Sequence, residues 1–374
     1  MEPADVVLRF LESVGSRREA DFYLALFRAG EPERFAAISV DANVARHAAE
    51  AVTLDLRFLA ALGLYPVVLL GLFESTEAME QAVRLARRLV KAGVRAEVVG
   101  ADEPDMQARA AQAARAQTIA IIAFAVGAQA RFETLGALVG ALRTRKLIFL
   151  HRPGGLRHDG ELLPLVNLTT DGVALAQSKE LSSKERALVD ESRRLVERTP
   201  HKLSIAITSP LNLFRELFTI KGAGTLLRRG ALIERRRYAD LDRERLRALL
   251  TRSFGRAPVD DFFSRDIAWG YVDEGYRGAA LVAETALGAY LTKFAVDAEA
   301  QGEGIGRDLW QSLAADYARI FWRARPGNAI SAWYTKLCDG LMRFPEWHVY
   351  WKGLPPSDVA PAVQWALAQP VDLP

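Results

Sequence analysis

The sequence predicts an α/β protein in two parts: a largely parallel α/β sandwich over residues 1–236, then a smaller α+β domain over 237–374. Three observations carry this. Between Phe35 and Leu150, short apolar runs alternate with amphipathic helical stretches, the pattern of a parallel sheet covered on both faces. Beyond Ile267, three strand-like runs follow one another with no helix between them, which suits antiparallel pairing. The chain has 374 residues, 50% of them apolar, enough for two cores.

Taken in order, Val6 to Phe27 carries apolar residues at helical intervals, broken near Gly15-Ser16, so two helices are expected. Strands are expected at Phe35–Val40, Tyr65–Gly71, Ala96–Val99, Thr118–Phe124, Lys146–Leu150 and His201–Thr208. Helices are expected between them at Ala48–Leu62, Thr76–Ala92, Asp105–Ala116 and Arg131–Thr144, with one solvated helix over Ser178–Arg198. The basic run Arg235-Arg236-Arg237-Tyr238 reads as a solvated linker, and Asp240 as the N-cap of a helix reaching Leu250. Ile267–Asp273, Gly278–Glu284 and Gly288–Val296 are the three consecutive strands. In the last of them Tyr290, Thr292, Phe294 and Val296 should share one face, with Ala289, Leu291, Lys293 and Ala295 on the other. Leu309, Trp310, Leu313, Tyr317 and Phe321 then recur at helical spacing, and Phe321–Arg325 and Trp347–Trp351 read as strands.

Composition removes several classes. Formal net charge is +3, from 49 Lys and Arg against 46 Asp and Glu, with the basic residues scattered, so nucleic acid is not an expected partner. The single Cys338 excludes an internal disulfide framework and a cysteine-based zinc site; no metal is expected. The apolar run Leu62–Phe73 is too short to span a bilayer, and neither a secretory signal nor a basic transit peptide is apparent. The reading is a cytoplasmic protein with no membrane partner.

The most informative stretch is Lys293-Phe294-Ala295-Val296, followed by Gln301-Gly302-Glu303-Gly304-Ile305-Gly306 and Arg307-Asp308-Leu309-Trp310. A glycine-rich turn between a strand and a helix start gathers free N–H groups at the positive helix end, where a pyrophosphate fits. Rossmann and Walker A loops are excluded, because there is neither a third glycine at the dinucleotide spacing nor a Gly-Lys-Ser/Thr ending. What remains, Gln/Arg-x-x-Gly-x-Gly, resembles the acetyl-CoA loop of the GNAT acetyltransferases. Further on come Phe321-Trp322-Arg323-Ala324-Arg325, Asn328, Trp333-Tyr334, the aromatic strand ending at Trp351, and Gly353-Leu354. As a set these closely resemble the acetyltransferase domain of the N-acetylglutamate synthases of vertebrate-like type.

The first part is similar, more loosely, to the amino-acid kinase domain of N-acetylglutamate kinases, in the version fused to that acetyltransferase. The residues that carry this are Arg18-Glu19-Ala20-Asp21-Phe22-Tyr23-Leu24, Pro32-Glu33-Arg34-Phe35-Ala36, Pro153-Gly154-Gly155-Leu156, and Arg215-Glu216-Leu217-Phe218-Thr219 with Lys221-Gly222-Ala223-Gly224-Thr225. The kinase's own groups are missing. Ser39-Val40-Asp41-Ala42 stands where such kinases have Lys-x-Gly-Gly, and Leu70-Gly71-Leu72-Phe73 where they have His-Gly-Gly-Gly. A site without its lysine and phosphate-cradling glycines cannot position or neutralise a transferring phosphoryl group, so this domain is expected to be kinase-inactive, regulatory or oligomer-forming.

The resemblance implies acetyl transfer from acetyl-CoA to the α-amine of L-glutamate, directly and without an acetyl-enzyme, as the first step of arginine biosynthesis. For acetyl-CoA it implies Phe294, Val296, Gln301, Gly302, Gly304, Ile305, Gly306 and Arg307. For glutamate it implies Arg325 as a bidentate fork, Lys293 or Arg256 as a second cation, and Phe294. Related enzymes have lysine where Arg256 stands. Asn328 would orient the substrate and Tyr334 would be the general acid. An L-arginine effector site is implied at Tyr23, Glu216, Lys221, Gly222, Gly224 and Thr225, and a homo-oligomer, as large as a tetramer, through the first domain. Two alternatives stay open: a non-catalytic arginine-sensing regulator of a separate acetylglutamate kinase, and a bifunctional synthase and kinase. So does the strict choice of glutamate as acceptor.

Overall fold

The computed structural model describes residues 17–125, 127–219, 222–297, 300, 304–328 and 330–371. The chain divides into two compact units, parted between Arg229 and Gly230. In the first, β1 (Ala37–Val40), β2 (Val67–Leu70), β3 (Ala96–Gly100), β4 (Ile119–Ala123) and β5 (Lys146–Leu150) alternate with helices at Ala42–His47, Ala49–Ala61, Ala78–Lys91, Met106–Arg115 and Ala128–Leu142. After β5 come a small hairpin of β6 (Arg157–His158) and β7 (Glu161–Leu162), then β8 (Leu165–Asn167), β9 (Ser204–Thr208) and β10 (Thr225–Arg228). The eight-stranded sheet runs β3-β4-β2-β1-β5-β9-β10-β8, and all its neighbours are parallel except β9 and β10.

Strand residues in this sheet are buried on both sides. Ala37, Leu69, Ile122, Leu147 and Ile205 face one core, while Ile38, Leu70, Ile121 and Ile148 face the other. That two-sided burial is why the runs read as continuous apolar stretches rather than as alternating ones. The charged stretch expected as one helix from Ser178 begins at Ser183 instead. Ser182 forms a capping box with Glu185, each side chain answering the other's backbone N–H, so the helix starts there and ends at Arg198. The helical pattern expected upstream of Gly15 lies outside the described residues.

The second unit holds a seven-stranded sheet. Its strands are β11 (Ile233–Arg237), β12 (Trp269–Asp273), β13 (Gly278–Thr285), β14 (Gly288–Val296), β15 (Ile320–Ala324), β16 (Gly340–Arg343) and β17 (His348–Lys352), in the order β11-β12-β13-β14-β15-β17-β16. Only β14 and β15 pair in parallel. Two expectations are corrected here. Arg235–Arg237 is not a linker but part of β11, paired residue for residue with β12. The N-cap of the helix Arg243–Phe254 is Asp242 rather than Asp240, because the Asp242 carboxylate accepts the Arg245 N–H at 3.0 Å, while Asp240 sits in a preceding 3-10 turn. The helix after the glycine loop spans Ile305–Asp316 and stops before Tyr317, which leaves Phe321 inside β15.

The face assignment expected along β14 is also corrected. Leu281 pairs with Lys293 and Val282 with Leu291, so a bulge leaves Thr292 as the extra residue, its hydroxyl on the Leu281 carbonyl at 3.0 Å. The extra residue inverts the alternation. Ala289, Leu291 and Phe294 therefore point into one core together, and Ala295 points into the other. A last helix, Pro356–Ala368, covers the outer side of β15 and β17 against Tyr290, Phe321 and Val349. No described helix is long and apolar enough to cross a membrane.

Candidate functional site

The site is built where β14 and β15 part. They pair in parallel at Ala289 with Ile320, Tyr290 with Phe321 and Leu291 with Trp322, and no further, although β14 runs on to Val296 and β15 to Ala324. Past Leu291, β14 keeps its partner β13 on one side, and among the described residues no strand pairs with its other edge. An open strand edge offers N–H and C=O groups to an extended ligand. The bulge at Thr292 is what aims Phe294 into this opening.

Five elements converge on it. Phe294 is nearly buried, and its ring lies 5.3 Å from that of Trp333 and 6.4 Å from that of Tyr334. Trp333 and Tyr334 share the helix Ser331–Leu337. Tyr334 is packed among Trp322, at 5.4 Å, and Tyr350, at 5.5 Å. Burial pushes the Tyr334 hydroxyl pKa well above the ordinary phenol value, with the Tyr350 phenol adding to the shift, so Tyr334 stays a proton donor. The Ile305–Asp316 helix arrives from the other side. A Cβ on Gly306 would lie 3.5 Å from both the Phe294 ring and Val296, so the helix start rests directly on the open strand.

Gly304 ends the glycine loop at φ 80°, a left-handed conformation that suits glycine, and serves as the N-cap. Its carbonyl accepts the Arg307 and Asp308 N–H groups at 3.0 and 3.1 Å, which leaves the first-turn amides of Ile305 and Gly306 ahead of the helix ladder. Gln301 and Gly302, expected as loop residues, lie outside the described residues.

The expected substrate residues are placed on separate elements. Lys293 is buried, with its ammonium 5.7 Å from the Phe262 ring and donating to the Thr292 carbonyl at 3.1 Å. Arg325 follows β15, stacks on Trp347 at 4.0 Å opposite Arg323, and approaches Glu346 at 3.7 Å while staying exposed. Arg256 is exposed just past Gly255, whose φ of 70° ends the Arg243–Phe254 helix. Asn328 spends its side-chain carbonyl on the Ile330 N–H at 3.2 Å, holding the entry to the Ser331–Leu337 helix.

In the first unit, the helix Arg17–Arg28 that carries Tyr23 packs against the helix Leu213–Phe218 that carries Glu216, with Phe27 and Phe218 in ring contact at 5.7 Å. Glu216 is buried. It accepts the Ala223 N–H at 2.9 Å and pairs with Lys146 at 3.2 Å, a lysine that the sequence marked only as the start of β5. Gly222 and Gly224 both have positive φ, and a Cβ on Gly224 would lie 2.1 Å from the Ile207 carbonyl oxygen. Thr225 accepts the Leu156 N–H at 2.8 Å. Lys221 lies outside the described residues.

The family model for the N-acetyltransferase of N-acetylglutamate synthase matches residues 233–365. The chain is 31% identical to the Xanthomonas campestris protein named acetylglutamate kinase, over 91% of this chain and 95% of that one. It is 38% identical to the human mitochondrial N-acetylglutamate synthase, over 59% of this chain and 43% of that one. The Neisseria gonorrhoeae N-acetylglutamate synthase, solved with coenzyme A and either N-acetyl-glutamate or L-arginine, shares the fold at TM-scores of 0.52 and 0.53 with 16% and 15% identity, over 90% of this chain and 98% of that one. With a relative matched nearly end to end and an acetyltransferase model on its second unit, the chain belongs to the acetylglutamate kinase and N-acetylglutamate synthase family, in its form with an amino-acid-kinase-like domain joined to a GNAT amino-acid N-acetyltransferase domain.

Proposed function

We propose that this protein is an N-acetylglutamate synthase: it transfers acetyl from acetyl-CoA to the α-amine of L-glutamate, giving N-acetyl-L-glutamate and CoA at the head of arginine biosynthesis. The observation that carries this is the parting of β14 and β15 beyond Leu291 and Trp322, with Phe294, Tyr334 and the Gly304–Gly306 helix start around the opening. The pantetheine arm of CoA is extended and carries amides, so it suits the free edge of β14 at Phe294–Val296. The pyrophosphate suits the amides of Ile305 and Gly306, with Arg307 in the same turn and Gln301 and Gly302 preceding it in the sequence.

Glutamate brings two carboxylates, met by Lys293 and by the guanidiniums of Arg325 and Arg256, with the Asn328 amide orienting the substrate. The neutral amine attacks the thioester carbonyl, and N–H groups on the open strand edge receive the developing oxyanion. Collapse of the intermediate breaks the C–S bond: Tyr334 hands its proton to the departing sulfur, the nitrogen loses its extra proton to water, and that relay returns a proton to the Tyr334 oxygen. Burial of Cys338 raises its thiol pKa, which makes it a poor nucleophile and supports direct transfer.

In this reading the first unit works by regulation and assembly, in a homo-oligomer in the cytoplasm. L-arginine acts at Tyr23, Glu216, Gly222, Gly224 and Thr225, and at Lys221, which precedes Gly222 in the sequence. The sequence named acetylglutamate kinase among the relatives favours a second reading, a bifunctional synthase and kinase. Against it, Asp41 after β1 caps a helix through the Asn43 N–H at 2.8 Å and pairs with Lys184, and Leu72 is buried after β2 while Phe73 packs on Phe132 and Phe149. Apolar side chains and an internal ion pair thus fill the carboxyl edge where phosphate would be cradled. The test is thiol release from acetyl-CoA by the purified chain, with and without L-glutamate, and with mass detection of the product. Thiol that does not depend on glutamate, or no N-acetylglutamate, would sink the proposal, and ADP formed from ATP in the presence of N-acetylglutamate would establish the second reading.

A further inference from the structure

A buried carboxylate sits in the first turn of the Ile305–Asp316 helix. Asp308 is 4% exposed, and its Oδ2 accepts the backbone N–H of Ala231 at 2.8 Å. Desolvating a carboxylate is costly, and doing so in the turn that faces a pyrophosphate adds repulsion toward the ligand. A carboxylate in the first turn does gain from the helix dipole, but a surface position would give that gain without the burial. Among what the buried position adds is the bond to Ala231. Ala231 stands two residues ahead of β11, in the stretch that enters this unit six residues after Thr225, and packs on the same core as Ile305, Leu309 and Phe294. The helix start is therefore held on three sides: by β13, where a Cβ on Gly278 would meet Ile305 at 2.6 Å; by β14, through Gly306 against Phe294 and Val296; and by the incoming chain, through Asp308.

We propose that Asp308 is a positioning residue for acetyl-CoA: its bond to Ala231 fixes the orientation of the first turn, and so the direction of the Ile305 and Gly306 amides, without touching the ligand. This rests on the acetyl-CoA reading of the site. The test compares Asp308→Leu with Asp308→Asn in the full-length chain, by steady-state kinetics and by calorimetric titration with CoA. Asp308→Leu deletes the acceptor and should raise both the CoA dissociation constant and the acetyl-CoA KM about tenfold, roughly the worth of one charge-assisted hydrogen bond. Its kcat and glutamate KM should change by less than about twofold. Asp308→Asn keeps an oxygen for the Ala231 N–H and should stay within about threefold of the parent. Equal losses in both variants, or a loss in kcat with KM unchanged, would overturn the assignment. A second measurement, amide exchange in the unaltered protein, covers a Leu variant that does not fold: CoA should slow exchange at Ala231, and an unchanged rate would count against the proposal. If the unaltered protein fails to bind CoA at all, it is the acetyl-CoA reading that fails.

Discussion

The ring of Phe294 lies 6.4 Å from that of Tyr334, edge-on at 72°, and this contact ties the open end of β14 to the helix that carries the proposed acid. Tyr334→Phe keeps the ring and its packing and removes only the proton donor. We expect kcat to fall about a hundredfold with the acetyl-CoA KM nearly unchanged. The pH profile supplies a second check. Burial raises the Tyr334 pKa, so the protonated, acid form persists through the mildly alkaline range. Any fall in rate between about pH 7 and 9 should then survive in the Phe variant, and a fall that vanishes with the hydroxyl would show Tyr334 titrating there.

Gly306 tests the seating of the helix on the strand. A Cβ there would lie 3.5 Å from Phe294 and Val296, ordinary contact for one methyl but not for a branched side chain. Gly306→Ala should bind acetyl-CoA nearly as the parent does, whereas Gly306→Val should raise its KM by about tenfold or more. Equal behaviour of the two would mean that the helix start is not fixed against β14.

In the first unit, Lys146 compensates the buried Glu216. Lys146→Met leaves that carboxylate without its cation and should lower unfolding stability by about 3 kcal/mol. Adding Glu216→Gln removes the orphaned charge and should recover much of the loss. Urea unfolding of the two variants, with no such recovery, would show that the pair is not coupled.

Asp55 gives stability its own pH dependence. On the Ala49–Ala61 helix its carboxyl Oδ2 is buried and lacks a partner among the described residues, and burial raises its pKa from 3.8 to about 8. The folded chain therefore holds a proton that the unfolded chain has released. This contribution is complete below about pH 4 and is lost as pH rises through about 8, so Asp55 destabilises the fold progressively toward alkaline pH. Asp55→Asn should raise the melting temperature at pH 8 relative to the parent, with the gap narrowing toward pH 4. A gap independent of pH would assign the effect to packing instead.

The sequence by itself determined the alternating strands and helices of the first sheet, the change from strand to helix between Val296 and Leu309, and the aromatic motifs around Tyr334, because each of these is written in local periodicity or in residues adjacent along the chain. Even the boundaries of β5 were legible, since an apolar strand buried on both sides contrasts sharply with its polar flanks. Tertiary structure decided the rest. Arg235–Arg237 reads as a solvated run because its arginines are exposed, yet its backbone pairs with β12, and pairing leaves no trace in side-chain composition. The Pro356–Ala368 helix carries Pro361 inside it and forms against the cover it provides to Phe321 and Val349. The bulge at Thr292 is decided by pairing with β13, and that single extra residue turns Phe294 toward Gly306 and Tyr334. Lys146 with Glu216, and Asp308 with Ala231, are each about 70 residues apart or more in sequence, so only the folded chain brings these charges to the groups they hold.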